Sequence, residues 1–457
     1  MRNALYFTLT LVISVCIKPT AAQDSAIIRN LYTRSLTNPV AYRNLEPLCK
    51  QVGGRIGGTV KAEKAVQYIK RLMEGMKLDS VYLQPVMVKH WERGDTEIAQ
   101  IISKKRGTKD LNVSALGTSI GTGDKGINAE VIEVHDFLEL QSIGRSNIEG
   151  KIVFFNRAAD ASRINPFESY GGAVDQRSRG PVQAARYGAI AVIVRSPVPN
   201  HSDFPHTGVT HYADTVKAIP AMCVSTNDAD LLATWLKEDP SLKLNMIMNC
   251  RNLPETMSAN VVGEIRGSDH PEEVIVFGGH LDCWDNSEGA HDDGAGVVQS
   301  IEILRLYNEL GIKPKHTIRA VAFMDEEIAQ RGGKAYAEFA RQQGEKQIAA
   351  IEADRGSDTP WGFSMDASDE AMARVRSWMP LFKPYNIWFF EKGGSGVDIR
   401  ELKSQGASLF GLVTDPQRYF DYHHCANDTY DKINPRELQL GAAAMATLVY
   451  LIDVKGL

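Results

Sequence analysis

Histidine and aspartate recur in this chain where an apolar run has just ended, and the densest case is the stretch 274–296. Residues 274–277 (VIVF) read as a buried strand that Gly278-Gly279 closes in a tight turn. His280 and Asp282 follow at once, and Asp292-Asp293-Gly294 then open a helix. Neutral imidazoles and ionised carboxylates are the donors that zinc and similar divalent cations accept. The carboxyl edge of parallel strands is also where open α/β sheets place their chemistry. One His-x-Asp is more often a satisfied surface group, so the weight falls on repetition. Asp325-Glu326-Glu327 follow the strand-like run 317–323, and Asp354 follows 349–353. Tyr422-His423-His424-Cys425, with Asp428-Thr429, come after the run 408–413. Successive strand ends that all deliver acids or imidazoles to one sheet edge are poorly explained as solvated loops.

The number of donors favours two ions over one. A single catalytic zinc takes three protein ligands and keeps a position open for water. These candidates suffice for two ions about 3.5 to 4 Å apart sharing a carboxylate, and a water between such ions is acidic near neutral pH. The pair Glu326-Glu327 then divides the labour, one carboxylate on metal and one free to move protons.

The elements that must position these groups divide the chain into blocks. After residue 258 strands alternate with helices, one carrying Val297, Ile301, Leu304 and Tyr307, and 436–454 forms a closing helix. That alternation predicts a largely parallel sheet with helices on both faces. Between 115 and 250 the texture changes: Gly117, Gly121, Gly123 and Gly126 precede strand-like runs at 129–134, 151–155, 189–194, 218–224 and 242–248. This β-rich block reads as an inserted domain, which splits the remainder into 23–114 and 251–457. Within the first part, Ala62, Ala65, Ile69, Leu72, Met73 and Met76 share one helical face. A strand at 81–88 then leads into His90-Trp91-Glu92-Arg93-Gly94, a patch that reads as structural.

At 457 residues two domains are the default, and 43% hydrophobic with 23% charged residues describes a globular protein. A net charge of -5 offers no basic face for nucleic acid. Arg2, the apolar run 4–17 and Thr20-Ala21-Ala22 have the layout of a signal peptide over residues 1–22. The expected location is secreted or periplasmic, or lysosomal or extracellular in a eukaryote. No later segment is expected to span a membrane, and 441–452 reads as part of a core helix. Of the six cysteines, the five that follow residue 22, Cys49, Cys223, Cys250, Cys283 and Cys425, are an odd, dispersed set rather than a disulfide scaffold.

GGHLD, GAHDDGAG, the Glu326-Glu327 pair, EAD at 352–354 and HHxxxDT at 423–429 together resemble the di-zinc aminopeptidase and glutamate carboxypeptidase family. The resemblance is strongest to its plasma glutamate carboxypeptidase branch and extends to 90–94, Pro205-His206-Thr207-Gly208 and 287–294. It covers nearly all of the chain after residue 22. It implies a phosphorylase/hydrolase-like α/β fold, a mixed sheet flanked by helices with an inserted protease-associated-like domain. It also implies two Zn²⁺ per chain: His280 and Asp354 on one ion, Glu327 and His424 on the other, and Asp292 bridging, with a cis peptide to Asp293. Asp282 would hydrogen-bond the His280 imidazole, and Glu326 would be the general base. His424, rather than His423, takes the ligand position because it lies four residues before Asp428. His423 stands where related peptidases often carry a carbonyl-polarising Tyr, and it either polarises through an N–H or is only a neighbour. Ile328-Ala329 stands where a more polar pair is common. Asp398, in the loop 393–398, is a substrate or structural contact. The implied activity is that of a secreted, homodimeric exopeptidase acting on dipeptides or short peptides through a metal-bridged hydroxide. A mono-zinc glutaminyl cyclase-like acyltransferase and a non-catalytic receptor-like protein are the alternatives, and the intact donor set weighs against both.

Overall fold

The structure is a computed structural model that describes residues 21–457. The signal-peptide expectation for 1–22 therefore lies outside the described residues, apart from Ala21 and Ala22, which open the helix Ala21–Thr37. The chain lays down β1 (Ser80–Glu92), β2 (Glu97–Ser103), β3 (Gly107–Asp110), β4 (Val113–Ala115), β5 (Ile127–Val134), β6 (Ile152–Phe155), β7 (Ala191–Arg195), β8 (Ala221–Val224) and β9 (Lys243–Met248). It continues with β10 (Arg251–Ile265), β11 (His270–His280), β12 (His316–Phe323), β13 (Lys346–Glu352), β14 (Pro360–Asp366), β15 (Phe389–Lys392) and β16 (Ser408–Thr414). One sheet runs β1-β10-β12-β11-β13-β16-β14-β15 and the other β3-β2-β9-β5-β6-β7-β8-β4.

In the first sheet β12, β11, β13 and β16 are parallel neighbours. The pairs β1–β10, β10–β12 and β14–β16 are antiparallel, while the edge pair β14–β15 is parallel again, so the sheet is mixed. Strand alternation explains how it is covered on both sides. Ile275 and Phe277 of β11 pack with Val297 and Ile301 of the helix Ala295–Leu310 and with Met445 and Leu448 of Pro435–Lys455. Val274 and Val276 point the other way, against Tyr336 and Ala337 of Arg331–Gln343. Each such side chain, fully buried, contributes about 1.5–3 kcal/mol.

The closing helix starts cleanly because the Asn434 side chain accepts from the Arg436 and Glu437 amides and Pro435 occupies the first turn. It is long and apolar enough to cross a membrane, but 83% of its most apolar window is buried inside the protein, so it is a core helix. The first helix lies along it: Ser35 Oγ donates to Gln439 O at 2.8 Å, and Tyr450 OH donates to Asp24 Oδ1 at 2.9 Å.

The second sheet has β5, β6, β7 and β8 parallel at its centre. It begins ahead of residue 115, which corrects the expected boundary: β2 and β3 already belong to it, through the pairing of β2 with β9. The crossover lies between Glu92 and Glu97. The hairpin 97–110 is half exposed and polar, so no rise in glycine marks it. The patch 90–94 forms the joint between units. Trp91 meets Trp284 edge to face and donates its indole N–H to Ser119 O at 2.9 Å. Arg93 pairs with Asp285 and Glu97 from either side.

Candidate metal centre

His280 is the last residue of β11, Glu326 and Glu327 follow β12, Asp354 follows β13, and His423-His424 follow β16. Asp292 sits in the turn 290–294 that enters the helix Ala295–Leu310, and its peptide bond to Asp293 is cis. Parallel neighbours present their carboxyl ends to one edge, so these loops converge over the middle of the sheet. Two sets of three donors result, His280 with Asp292 and Asp354, and Asp292 with Glu327 and His424. Asp292 belongs to both. Its Oδ1 is 3.1 Å from His280 Nε2, which is itself 3.4 Å from Asp354 Oδ1. Its Oδ2 is 3.4 Å from His424 Nε2, which is 3.1 Å from Glu327 Oε2.

These donors fit divalent cations. Asp292 Oδ2 and Glu327 Oε1 are buried without a hydrogen-bond partner, and an orphaned carboxylate oxygen is costly unless a cation meets it. Burial, reinforced for Glu327 by Asp292, raises the Asp292 carboxyl and lifts Glu327 well above the carboxylate range. Burial likewise pushes Glu326 up to about 8. Burial opposes protonation of His280, but hydrogen bonds to Asp292 and Asp354 outweigh it and raise the imidazole well above its usual value. A bound divalent cation inverts this pattern, since it favours ionised acids and neutral imidazoles. The mix of nitrogen and oxygen donors suits zinc.

Backbone carbonyls orient both candidate ligand imidazoles. His280 Nδ1 donates to the Asp282 carbonyl at 2.8 Å, and His424 Nδ1 donates to the Thr207 carbonyl at 3.1 Å. Each bond puts the proton on Nδ1 and leaves Nε2 bare toward the acids. For Asp282 this corrects the expected contact, because its main chain, not its carboxylate, meets the imidazole. The chain turns back within two residues, which brings that carbonyl onto the ring. The Asp282 carboxylate instead accepts from the Glu326 amide at 3.1 Å and so holds the loop that carries Glu326.

Further supports were not anticipated from sequence. Asp428 accepts from the His291 amide at 2.7 Å and the Asp292 amide at 3.1 Å, fixing the turn that aims Asp292. Arg55, fully buried, donates to the carbonyls of Leu281, Glu288 and Gly289. The glycine-rich turn at 53–58 was the only sequence signal, and at Gly54 a Cβ would sit 2.4 Å from the Asp285 carbonyl oxygen. From the second unit, the PHTG segment reaches His423 and His424. His206 Nε2 lies 2.8 Å from His423 Nδ1, and the Thr207 amide donates to the His424 carbonyl at 3.0 Å. Arg177 braces the same segment, donating to Thr207 O at 3.1 Å and to Tyr170 OH at 2.9 Å.

A cleft of about 910 Å³ opens over the site and draws its walls from both units, including Tyr170, Arg177, Ile328, Ala329, His423 and Tyr419. His280, Asp292, Glu326, Glu327, Asp354 and His424 all face it. Asp398 does not, which corrects its expected contact with substrate. Its side chain is buried, and its amide donates to Glu352 Oε2 at 3.0 Å. Val397 and Ile399 donate to the same carboxylate, so Glu352 anchors the loop 393–398 from below.

The profile of peptidase family M28 matches residues 260–449. Carboxypeptidase Q of Homo sapiens is 34% identical over 412 residues, covering 90% of this chain and 85% of that protein. Carboxypeptidase Q of Bos taurus gives the same figures. The crystal structure of a peptidase M28 precursor from Shewanella amazonensis SB2B superimposes with a TM-score of 0.89 at 33% identity, covering 94% of this chain and 96% of that one. A zinc aminopeptidase from Bacillus subtilis shares the fold at a TM-score of 0.64 and 20% identity, over 90% of this chain and 94% of its own.

Proposed function

Because the chain belongs to peptidase family M28, we propose that it is an exported di-zinc exopeptidase that cleaves dipeptides or short peptides with free ends. The observation that carries this reading is Asp292, which offers one oxygen to each of two donor sets. His280 and Asp354 would hold one zinc, Glu327 and His424 the other, and Asp292 both. The ions, when bound, would supply Lewis acidity and a water acidic enough to ionise near neutral pH. Glu326 faces the cleft with Oε2 4.0 Å from His280 Nε2, and is not itself needed as a ligand. In this reading Glu326 Oε2 takes the proton of the attacking water and gives it to the leaving nitrogen. Asp282 keeps that carboxylate in place through the Glu326 amide. The cleft walls come from both units and leave room for a short peptide.

The test is hydrolysis of free and end-blocked dipeptides by zinc-loaded protein beside Glu326→Gln. The variant should keep its zinc while kcat falls by about 10²–10⁴-fold, the usual worth of general acid–base catalysis. Equal turnover by the variant removes Glu326 from the role. No cleavage of any peptide by the wild-type protein with zinc bound removes the exopeptidase reading itself.

A further inference from the structure

Five arginines are buried among the described residues, and four of them are answered within the fold. Arg93 pairs with Asp285 and Glu97, Arg195 with Asp230, and Arg319 with Glu264 and Glu345. Arg55 has no carboxylate, but Nε, Nη1 and Nη2 each reach a carbonyl, of Leu281, Glu288 and Gly289. Arg177, in the second unit, is the exception. No carboxylate pairs with it. Its hydrogen bonds, to Tyr170 OH and Thr207 O, both leave from Nη1. Nε is buried without a partner, and Nη2, which has none either, is the open nitrogen. A guanidinium is always charged, and burying a cation with no counterion is costly. Bracing Thr207 uses Nη1 alone and leaves that charge unexplained.

The place of Arg177 indicates which anion would answer it. It lines the cleft, and Nη1 lies 3.4 Å from Nδ1 of His424, the imidazole whose Nε2 faces the donor set. Tyr170 lines the cleft beside it, and its hydroxyl, which accepts from Arg177, keeps its own proton for a further acceptor. Among the other cations of the cleft, Lys89 is paired with Glu255 and Lys334 is exposed. A peptide with free ends carries a carboxylate on the amino acid that leaves, one carbon beyond the nitrogen that is cut free. Seating its scissile bond over the donor sets brings that carboxylate near the guanidinium.

We propose that Arg177 is a specificity-determining residue that binds the α-carboxylate of the leaving amino acid through Nη2, with the Tyr170 O–H as second donor. The second unit thereby selects peptides with a free carboxyl end. The proposal rests on the peptidase reading above and names the end of the substrate that is recognised. No bond forms or breaks in this contact. It is a charge-assisted hydrogen bond, and the carboxylate supplies the counterion that the fold withholds from Arg177.

The experiment uses the zinc-loaded protein and matched substrates, a dipeptide and its C-terminal amide, with either a neutral residue or glutamate in the leaving position. Wild type should favour the free acid over the amide by about 10–10²-fold in kcat/KM, the scale of one charged hydrogen bond. In Arg177→Met that preference should fall to near unity, chiefly through KM of the free acid. Arg177→Gln keeps an amide donor for Thr207 O but no charge, and should lose the preference equally, which covers the case of Arg177→Met failing to fold. Lys334→Ala should keep the preference. Binding is read apart from turnover by calorimetric titration of Glu326→Gln protein. There the free dipeptide should bind about tenfold or more tightly than its amide, and adding Arg177→Gln should erase the difference. Equal use of acid and amide by wild type, or loss of the preference in Lys334→Ala, would overturn the proposal. So would a preference kept in both Arg177 variants while acid and amide rates fall together, which would leave Arg177 as a brace for Thr207. A glutamyl amide cleaved as well as the free acid would assign the anion to the side chain and overturn it too. If the wild type cleaves nothing, the peptidase reading fails while the titrations still decide whether Arg177 holds a carboxylate.

Discussion

Asp292 is the residue on which both halves of the site depend, and its removal should differ in kind from loss of a peripheral ligand. In Asp292→Ala both proposed ions lose a donor, whereas His424→Ala strips only the Glu327 side. Metal analysis after gel filtration should find zinc nearly absent from the first variant and about half retained by the second. Equal retention would show that Asp292 serves one ion only. That His280, Asp292, Glu327, Asp354 and His424 converge was legible in the sequence, because each sits directly behind a strand or in a local motif. His206, Arg55 and Asp428 were not legible in their roles, since each acts on a segment far away in the chain. His206 and His423 are 217 positions apart. Asp282 and Asp398 show the reverse limit. Their closeness to the site was readable, but whether main chain or side chain makes the contact depends on a turn that spacing does not encode.

Among the elements, the central parallel strands were readable as largely apolar runs, which is how strands covered on both faces appear, though Arg319 interrupts β12. β14 and β15 were not, because PWGFSMD and FFEK neither alternate nor form such a run. One contact between elements carries a pH dependence. At the start of β12, His316 Nδ1 lies 3.0 Å from Asp453 Oδ1 in the closing helix, and Nε2 lies 3.3 Å from Glu273 of β11. The Asp453 hydrogen bond, against partial burial and the nearby Lys315, raises the His316 imidazole above its ordinary value. A raised folded-state value means that the protonated form binds more strongly in the folded protein. Its stabilisation is complete below the unfolded value near 6.5 and fades as pH rises through the folded one. The Tm cost of His316→Gln should therefore be larger at pH 5.5 than at pH 9. An equal cost at both pH values would mean that the contact stabilises through packing alone.

At the scale of the whole molecule, the second unit meets the loop of His424 at Gly208, whose φ is +134°. A Cβ there would lie 2.3 Å from Arg177 Nη1 and 2.8 Å from His424 Nδ1. Gly208→Ala should push the segment off His424, weaken zinc on that side and lower turnover, with little change in Tm because the main cores lie elsewhere. Zinc affinity and turnover equal to wild type would show that the contact is dispensable. Length and the glycine-rich texture pointed to a second block, and the described chain forms two sheets. Their exact seam was not legible, because the 97–110 hairpin looks like any polar surface. The pairing of the helix Ala21–Thr37 with Pro435–Lys455 has a consequence for folding. Until the helix Pro435–Lys455 is docked, the sheet beneath the candidate metal centre lacks part of its cover. The donors at the edge of that sheet therefore depend on contacts between segments 404 and 426 positions apart, the longest-range hydrogen bonds described above.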